Sequence, residues 1–77
     1  EMVNYAIPVV LNYLYNSDKT LRGYAAWALG EIGASETINK LRKLKSDDSP
    51  VPFYEDGELK EKTVGEVAVQ AINKLKS

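Results

Sequence analysis

Thr20-Leu21-Arg22-Gly23-Tyr24-Ala25-Ala26-Trp27-Ala28-Leu29-Gly30-Glu31-Ile32 is the stretch that decides the fold, because it occurs a second time. It returns in altered form as Thr63-Val64-Gly65-Glu66-Val67-Ala68-Val69-Gln70-Ala71-Ile72-Asn73-Lys74-Leu75. Thr20 matches Thr63, Leu21 matches Val64, and Ala25 and Ala28 match Ala68 and Ala71. Leu29 and Ile32 match Ile72 and Leu75. Apolar residues thus recur at the spacing of one helix face, and the alanines allow a second helix to approach closely. Self-similarity at a period of tens of residues is the mark of stacked helical repeats.

A second motif alternates with the first. Asn4 is expected to cap a helix over about residues 5–15, with Pro8 in or near its first turn. Ser35 is expected to cap a helix over 36–46 in the same way: Ala6-Ile7 aligns with Thr37-Ile38, Val10 with Leu41, and Asn16 with Asp47. The repeated stretches are expected as helices 19–33 and 63–75, with Ser17-Asp18 before the first and Gly33 closing it in a left-handed conformation. The reading is an all-α fold of two antiparallel helix pairs. Residues 1–77 form one domain, and the opening Glu1-Met2-Val3 reads as a piece cut from a longer polypeptide.

Only the stretch from 47 to 62 breaks the pattern. Sixteen residues separate Asp47 from Val64, where four separate Asn16 from Leu21. Pro50 and Pro52 forbid helix. Phe53-Tyr54-Glu55-Asp56-Gly57-Glu58-Leu59-Lys60 reads as a short β-hairpin, or else an irregular insertion. The hairpin register sets Tyr54 opposite Leu59, which is favourable, and Glu55 opposite Glu58, which is not.

Composition limits the chemistry. The net charge is -1, and there is neither cysteine nor histidine among the 77 residues. Disulfides, thiol chemistry and the usual neutral-pH general base are therefore excluded for this stretch. No apolar run nears the roughly 18 residues of a membrane span, and no signal-peptide pattern is present; the expected location is cytoplasmic. The acidic pairs Asp47-Asp48 and Asp56/Glu58 lie in a polar connector without the apolar pocket that would separate their pKa values. No catalytic, cofactor-binding or metal-ligating residue is expected, and the chain is not read as an enzyme.

The run Leu21-Arg22-Gly23-Tyr24-Ala25-Ala26-Trp27-Ala28-Leu29-Gly30-Glu31-Ile32-Gly33, preceded by Ala6-Ile7-Pro8-Val9-Val10-Leu11, resembles HEAT repeats. More narrowly, it is similar to the HEAT-like repeats named after phycobilisome lyase subunits. The resemblance implies an α-solenoid that binds other proteins. It marks Leu21, Arg22, Ala25, Ala28, Leu29, Val64, Ala68, Ala71 and Ile72 as structural repeat positions. Arg22 resembles the family's structural arginine and is expected to pair with Asp47. Gly65 stands where the second copy should carry that arginine, and Asn73 where it should carry Gly30, which points to the end of a stack.

The functional expectation is a non-catalytic protein-interaction module. The alternative is an accessory part of an enzyme, such as a lyase-type subunit, with its catalytic residues elsewhere. Candidate partner-binding residues are Lys40 and Lys43 on the basic third helix, and Phe53 and Tyr54 on the insertion. Trp27 is expected to pack against a neighbouring helix or repeat. The basic set Lys40, Arg42, Lys43 and Lys45 reads as a solvated face, not a nucleic-acid surface, because no aromatic residues interleave with it. Helix 5–15 is apolar nearly all round, so its outer side is expected to meet a neighbouring repeat or a second copy of the chain.

Overall fold

The computed structural model describes residues 2–76. In chain order it contains α1 (Met2–Tyr13), α2 (Lys19–Glu31), a 3₁₀ turn (Ser35–Thr37), α3 (Ile38–Arg42), β1 (Pro50–Glu55), β2 (Glu58–Thr63) and α4 (Val64–Lys76). The strongest packing is of α2 along α4; α1 lies on α2, and α3 on α4.

Local chemistry sets the helix ends. Asp18 caps α2 by accepting from the Thr20 N–H at 2.8 Å. At the other end Gly33 takes φ 75°, and the N–H groups of Gly33 and Ala34 donate to the carbonyls of Gly30 and Leu29. That pairing is the Schellman closure expected of a glycine placed there. Thr63 and Glu66 form a reciprocal capping box at the start of α4: the Thr63 N–H donates to Glu66 Oε1 and the Glu66 N–H to Thr63 Oγ1. The cap expected at Asn4 is corrected, since α1 already runs through this position; the Asn4 side chain lies outside the described residues.

The third helix is much shorter than the span 36–46. Ser35 makes no side-chain cap and begins a 3₁₀ turn, and only Ile38–Arg42 is α-helical. After it, Lys43, Leu44 and Lys45 each donate to the carbonyl three residues back. The apolar stripe Ile38, Leu41, Leu44 drifts about 60° round a 3.6-residue helix at each step of three, and the tighter turn after Arg42 keeps Leu44 against the core.

An all-α assignment is overturned by the stretch after Asp47. It forms a regular antiparallel hairpin with Tyr54 opposite Leu59 and Glu55 opposite Glu58. Asp56 and Gly57 both have positive φ, 52° and 78°, as a type I′ turn requires. Strand alternation turns Val51 and Phe53 inward, where Val51 is fully buried and Phe53 nearly so. The hairpin therefore contributes to the core instead of decorating it, and the fold is a small α+β domain of four helices and a two-stranded sheet. Pro50 and Pro52 fall at alternate positions, opposite Thr63 and Glu61. With a two-residue turn these are non-hydrogen-bonded pairs, so the missing N–H groups point away from β2 and cost the ladder nothing.

Candidate functional site

The helix α2 has three differently occupied sides. Gly23, Ala26 and Gly30 are buried on one of them. A Cβ added at Gly30 would lie 3.0 Å from Ala71 of α4, and one at Gly23 would lie 3.1 Å from Val51 of β1. These small residues set how closely α4 and the hairpin can approach. Ala25 and Leu29 turn into the core.

The third side is open. Leu21, Tyr24 and Trp27 are exposed and Ala28 is half-buried. Two connected hollows lie along it. One, of about 320 Å³, is walled by Val10 and Tyr13 of α1 and floored by Leu21, Tyr24, Ala25 and Ala28. The other, of about 480 Å³, is formed by Tyr24, Trp27 and Ala28 with Phe53 and Tyr54 of the hairpin. They share Tyr24 and Ala28, so the two hollows adjoin across α2 and make up an apolar groove between α1 and β1.

Tyr24 holds the groove's shape. Its hydroxyl donates to the Pro52 carbonyl at 3.1 Å. Its ring meets Phe53 edge to face, with centroids 5.0 Å apart and planes at 87°. Phe53, a candidate anchor, is instead turned inward as the groove's floor. Tyr54, the other candidate, is 75% exposed and forms the rim. Lys40 and Lys43 are exposed on and just after α3, and neither lines the groove. The structure thus brings Phe53 and Tyr54 together with Trp27 and leaves the two lysines elsewhere.

The hairpin tip beyond the groove carries Glu55, Asp56, Glu58 and Glu61 together with Lys60 and Lys62, and none of these charges lines either hollow. Glu55 accepts from Lys62 Nζ at 2.5 Å, and Lys62 also donates to Gln70 at 3.0 Å. The hydrogen bond from Lys62 holds the Glu55 carboxyl below its ordinary range. Among the described residues Glu58, opposite Glu55, shares no ion pair; Lys60, two residues along on the same strand face, adds its charge to that of Lys62 at Glu55, and Glu61 lies exposed on the opposite face. Glu31 at the end of α2 pairs with Lys74.

Behind the groove, Arg22 ties the loops together. Its Nε donates to Asp47 Oδ2 at 3.0 Å, one terminal nitrogen to the Asn16 and Ser17 carbonyls, and the other to Ser49 Oγ. The pairing with Asp47 is the one its sequence position predicts. Burial pushes the Asp47 carboxyl up, but hydrogen bonds from Ser49 and Arg22, with the guanidinium charge, outweigh it and hold the group below its usual range. Among the described residues, no three His, Cys, Asp or Glu side chains gather as a metal site. No described helix is long and apolar enough to cross a membrane.

Sequence reasoning missed Tyr24 and assigned Trp27 to packing. Spacing held the signal for both: Leu21, Tyr24 and Ala28 share a helix face at i, i+3 and i+7, with Trp27 on its border.

The fold and groove together define a compact α+β domain with an apolar face left open. Within it, residues 21–47 match the family model of the PBS lyase HEAT-like repeat, and this stretch is a HEAT-like repeat. The matched unit runs from α2 through α3 to the corner that Arg22 and Asp47 join. Neither the curated proteins nor the solved structures give a significant match.

Proposed function

We propose that this chain is a non-catalytic protein-binding module whose binding face is the open side of α2. The observation that supports it is the unequal burial of equivalent positions. In α4, Val64, Val67 and Ala71 are buried, at most 4% exposed. Their counterparts in α2 are Leu21, Tyr24 and Ala28, and the first two are 39% and 43% exposed. Repeat-equivalent faces carry the same demand for cover, and only one of them has it.

The opposite end of the stack makes the same point by contrast. On α4 the positions equivalent to Gly23, Ala26 and Gly30 are Glu66, Val69 and Asn73, two of them polar and exposed. That end is finished for solvent, and the α2 end is finished for a protein. A second contact surface is proposed on α1, where Tyr5, Val9 and Tyr13 form an exposed stripe suited to a neighbouring repeat or a second copy.

Panning a displayed library of random peptides against the chain tests the reading. Peptides should be enriched that bind the wild type and lose roughly tenfold or more in affinity against Leu21→Arg. No enrichment, or binding indifferent to Leu21→Arg in a variant with an unchanged melting curve, would sink it.

A further inference from the structure

We infer that the outer edge of β2 takes up one extended segment of a protein partner as a third, antiparallel strand, with basic residues of that segment opposite Glu58 and Glu61 and an acidic one opposite Lys60. This surface is separate from the α2 groove, since no residue of β2 lines either hollow, and the two stand or fall separately.

Main-chain geometry leads to it. The sheet has only two strands among the described residues, so each strand has an outer edge. The two-residue turn makes Glu55 and Glu58 a hydrogen-bonded pair, and bonded pairs recur at Phe53 with Lys60 and at Val51 with Lys62. Pro50, Pro52 and Tyr54 on β1, and Leu59, Glu61 and Thr63 on β2, therefore turn their main-chain groups outward. The β1 edge is closed. Pro50 and Pro52 bring no N–H, the Pro52 carbonyl accepts from the Tyr24 hydroxyl, and the strand lies against α2. On β2 the Thr63 N–H is taken by Glu66 in the capping box. Leu59 and Glu61 are left. Among the described residues their outward N–H and C=O groups make no hydrogen bond, and Glu58, Leu59, Lys60 and Glu61 are all exposed. An unpaired edge of this kind is the template on which a peptide strand adds.

Side chains give a second, independent reason. Tyr54 and Leu59 stand opposite each other on the outer face of the sheet, 75% and 63% exposed. An apolar residue on a third strand, opposite Leu59, extends that row and covers Leu59 from its open side.

Charge selects the occupant. Glu58, Lys60 and Lys62 share the inner face of β2, and Leu59, Glu61 and Thr63 the outer. Lys62 is committed to Glu55 and Gln70, and Lys60 adds its charge at Glu55. Glu58 faces Glu55, and Glu61 faces Pro52, so neither carboxylate meets a cation across the sheet. A second copy of the chain matches this edge badly. Set antiparallel with Leu59 bonded to Glu61, it puts Lys60 of one copy against Lys60 of the other. With Glu61 bonded to Glu61, it opposes those carboxylates and sets Lys60 against Lys62. Centred on Leu59, it leaves Glu61 facing Gly57 in the turn. The charges thus blunt the edge toward its own kind. A strand that reads basic, acidic, apolar, basic from the Glu61 position to the Glu58 position meets every one of them with its complement.

The test is an amide NMR titration of the isotope-labelled chain with a blocked synthetic peptide of core Thr-Lys-Glu-Val-Lys. The largest shifts should fall on the amides of Leu59 and Glu61, and both should exchange more slowly with solvent in the complex. Glu61→Pro removes an outward N–H as Pro50 and Pro52 do on β1, spares the ladder, and should weaken binding roughly tenfold. N-methylation of the peptide's valine and first lysine removes the same bonds without touching the protein, and should cost at least as much. Methylating the glutamate between them, whose N–H points away from β2, should cost little. Exchanging lysine and glutamate throughout the peptide should cost roughly tenfold. Shifts confined to Leu21, Tyr24 and Ala28, binding indifferent to which residues are methylated, or no shift at millimolar peptide would each overturn the inference. Leu21→Arg should leave this titration unchanged, so failure here and failure of the groove are told apart.

Discussion

At the scale of single residues, Arg22 and Gly65 show why equivalent repeat positions hold different side chains. Arg22 uses all three guanidinium nitrogens, reaching one carboxylate, one hydroxyl and two backbone carbonyls. Lysine carries the same charge on a single nitrogen and cannot span those four acceptors. Arg22→Ala should lower unfolding free energy by about 2–3 kcal/mol in urea titrations, and Arg22→Lys should restore less than half of it. In the second repeat the same position meets backbone. A Cβ at Gly65 would lie 2.4 Å from the Lys45 carbonyl oxygen, and the Gly65 N–H donates to the Asp47 carbonyl at 2.7 Å. No arginine fits, because the corner that Arg22 ties closes directly onto Gly65. Asp47, in the same corner, makes stability depend on pH. Its folded-state pKa lies below the ordinary aspartate value. Its contribution is therefore complete above about pH 4 and is lost as pH falls through the lower, folded value. Acid titration of stability should show that loss in the wild type and a flatter limb in Asp47→Asn.

At the scale of elements, the hairpin was legible and its role was not. Asp56-Gly57 flanked by apolar residues specifies the turn and hence the register. What local pattern could not give was that β1 lies against Gly23 and Tyr24, twenty-odd residues away, and so joins the core. That contact is tertiary, and it changes the class from all-α to α+β. The third helix failed for the opposite reason, since its i, i+3, i+6 stripe was in the sequence and was counted as helical. For the candidate face, Tyr54 was legible as an outward strand residue. Its meeting with Trp27 depends on how the hairpin docks. Within the hairpin, Glu58→Lys replaces the Glu55–Glu58 repulsion with an attraction and should raise the unfolding free energy by about 0.5 kcal/mol in urea titrations.

At the scale of the whole molecule, the stack has one polar end and one apolar end, and α1 extends the apolar one. Ile7 of α1 and Leu14 in the turn after it are buried, and Val10 and Leu11 pack against the core from one side. Tyr5, Val9 and Tyr13, at i, i+4 and i+8, line the other side and are 78%, 58% and 43% exposed. A tyrosine ring can lie at a wet surface with its hydroxyl outward, but Val9 between them has no polar end to offer. The stripe should therefore associate with its like when nothing else covers it. The mass measured by light scattering should rise with protein concentration, and Val9→Lys should hold the chain monomeric without moving its urea midpoint, because the substituted side chain touches solvent in the monomer. A constant monomer mass in the wild type would mean that the two tyrosines screen Val9 well enough by themselves. The α2 groove would then remain as an apolar surface that still calls for a partner.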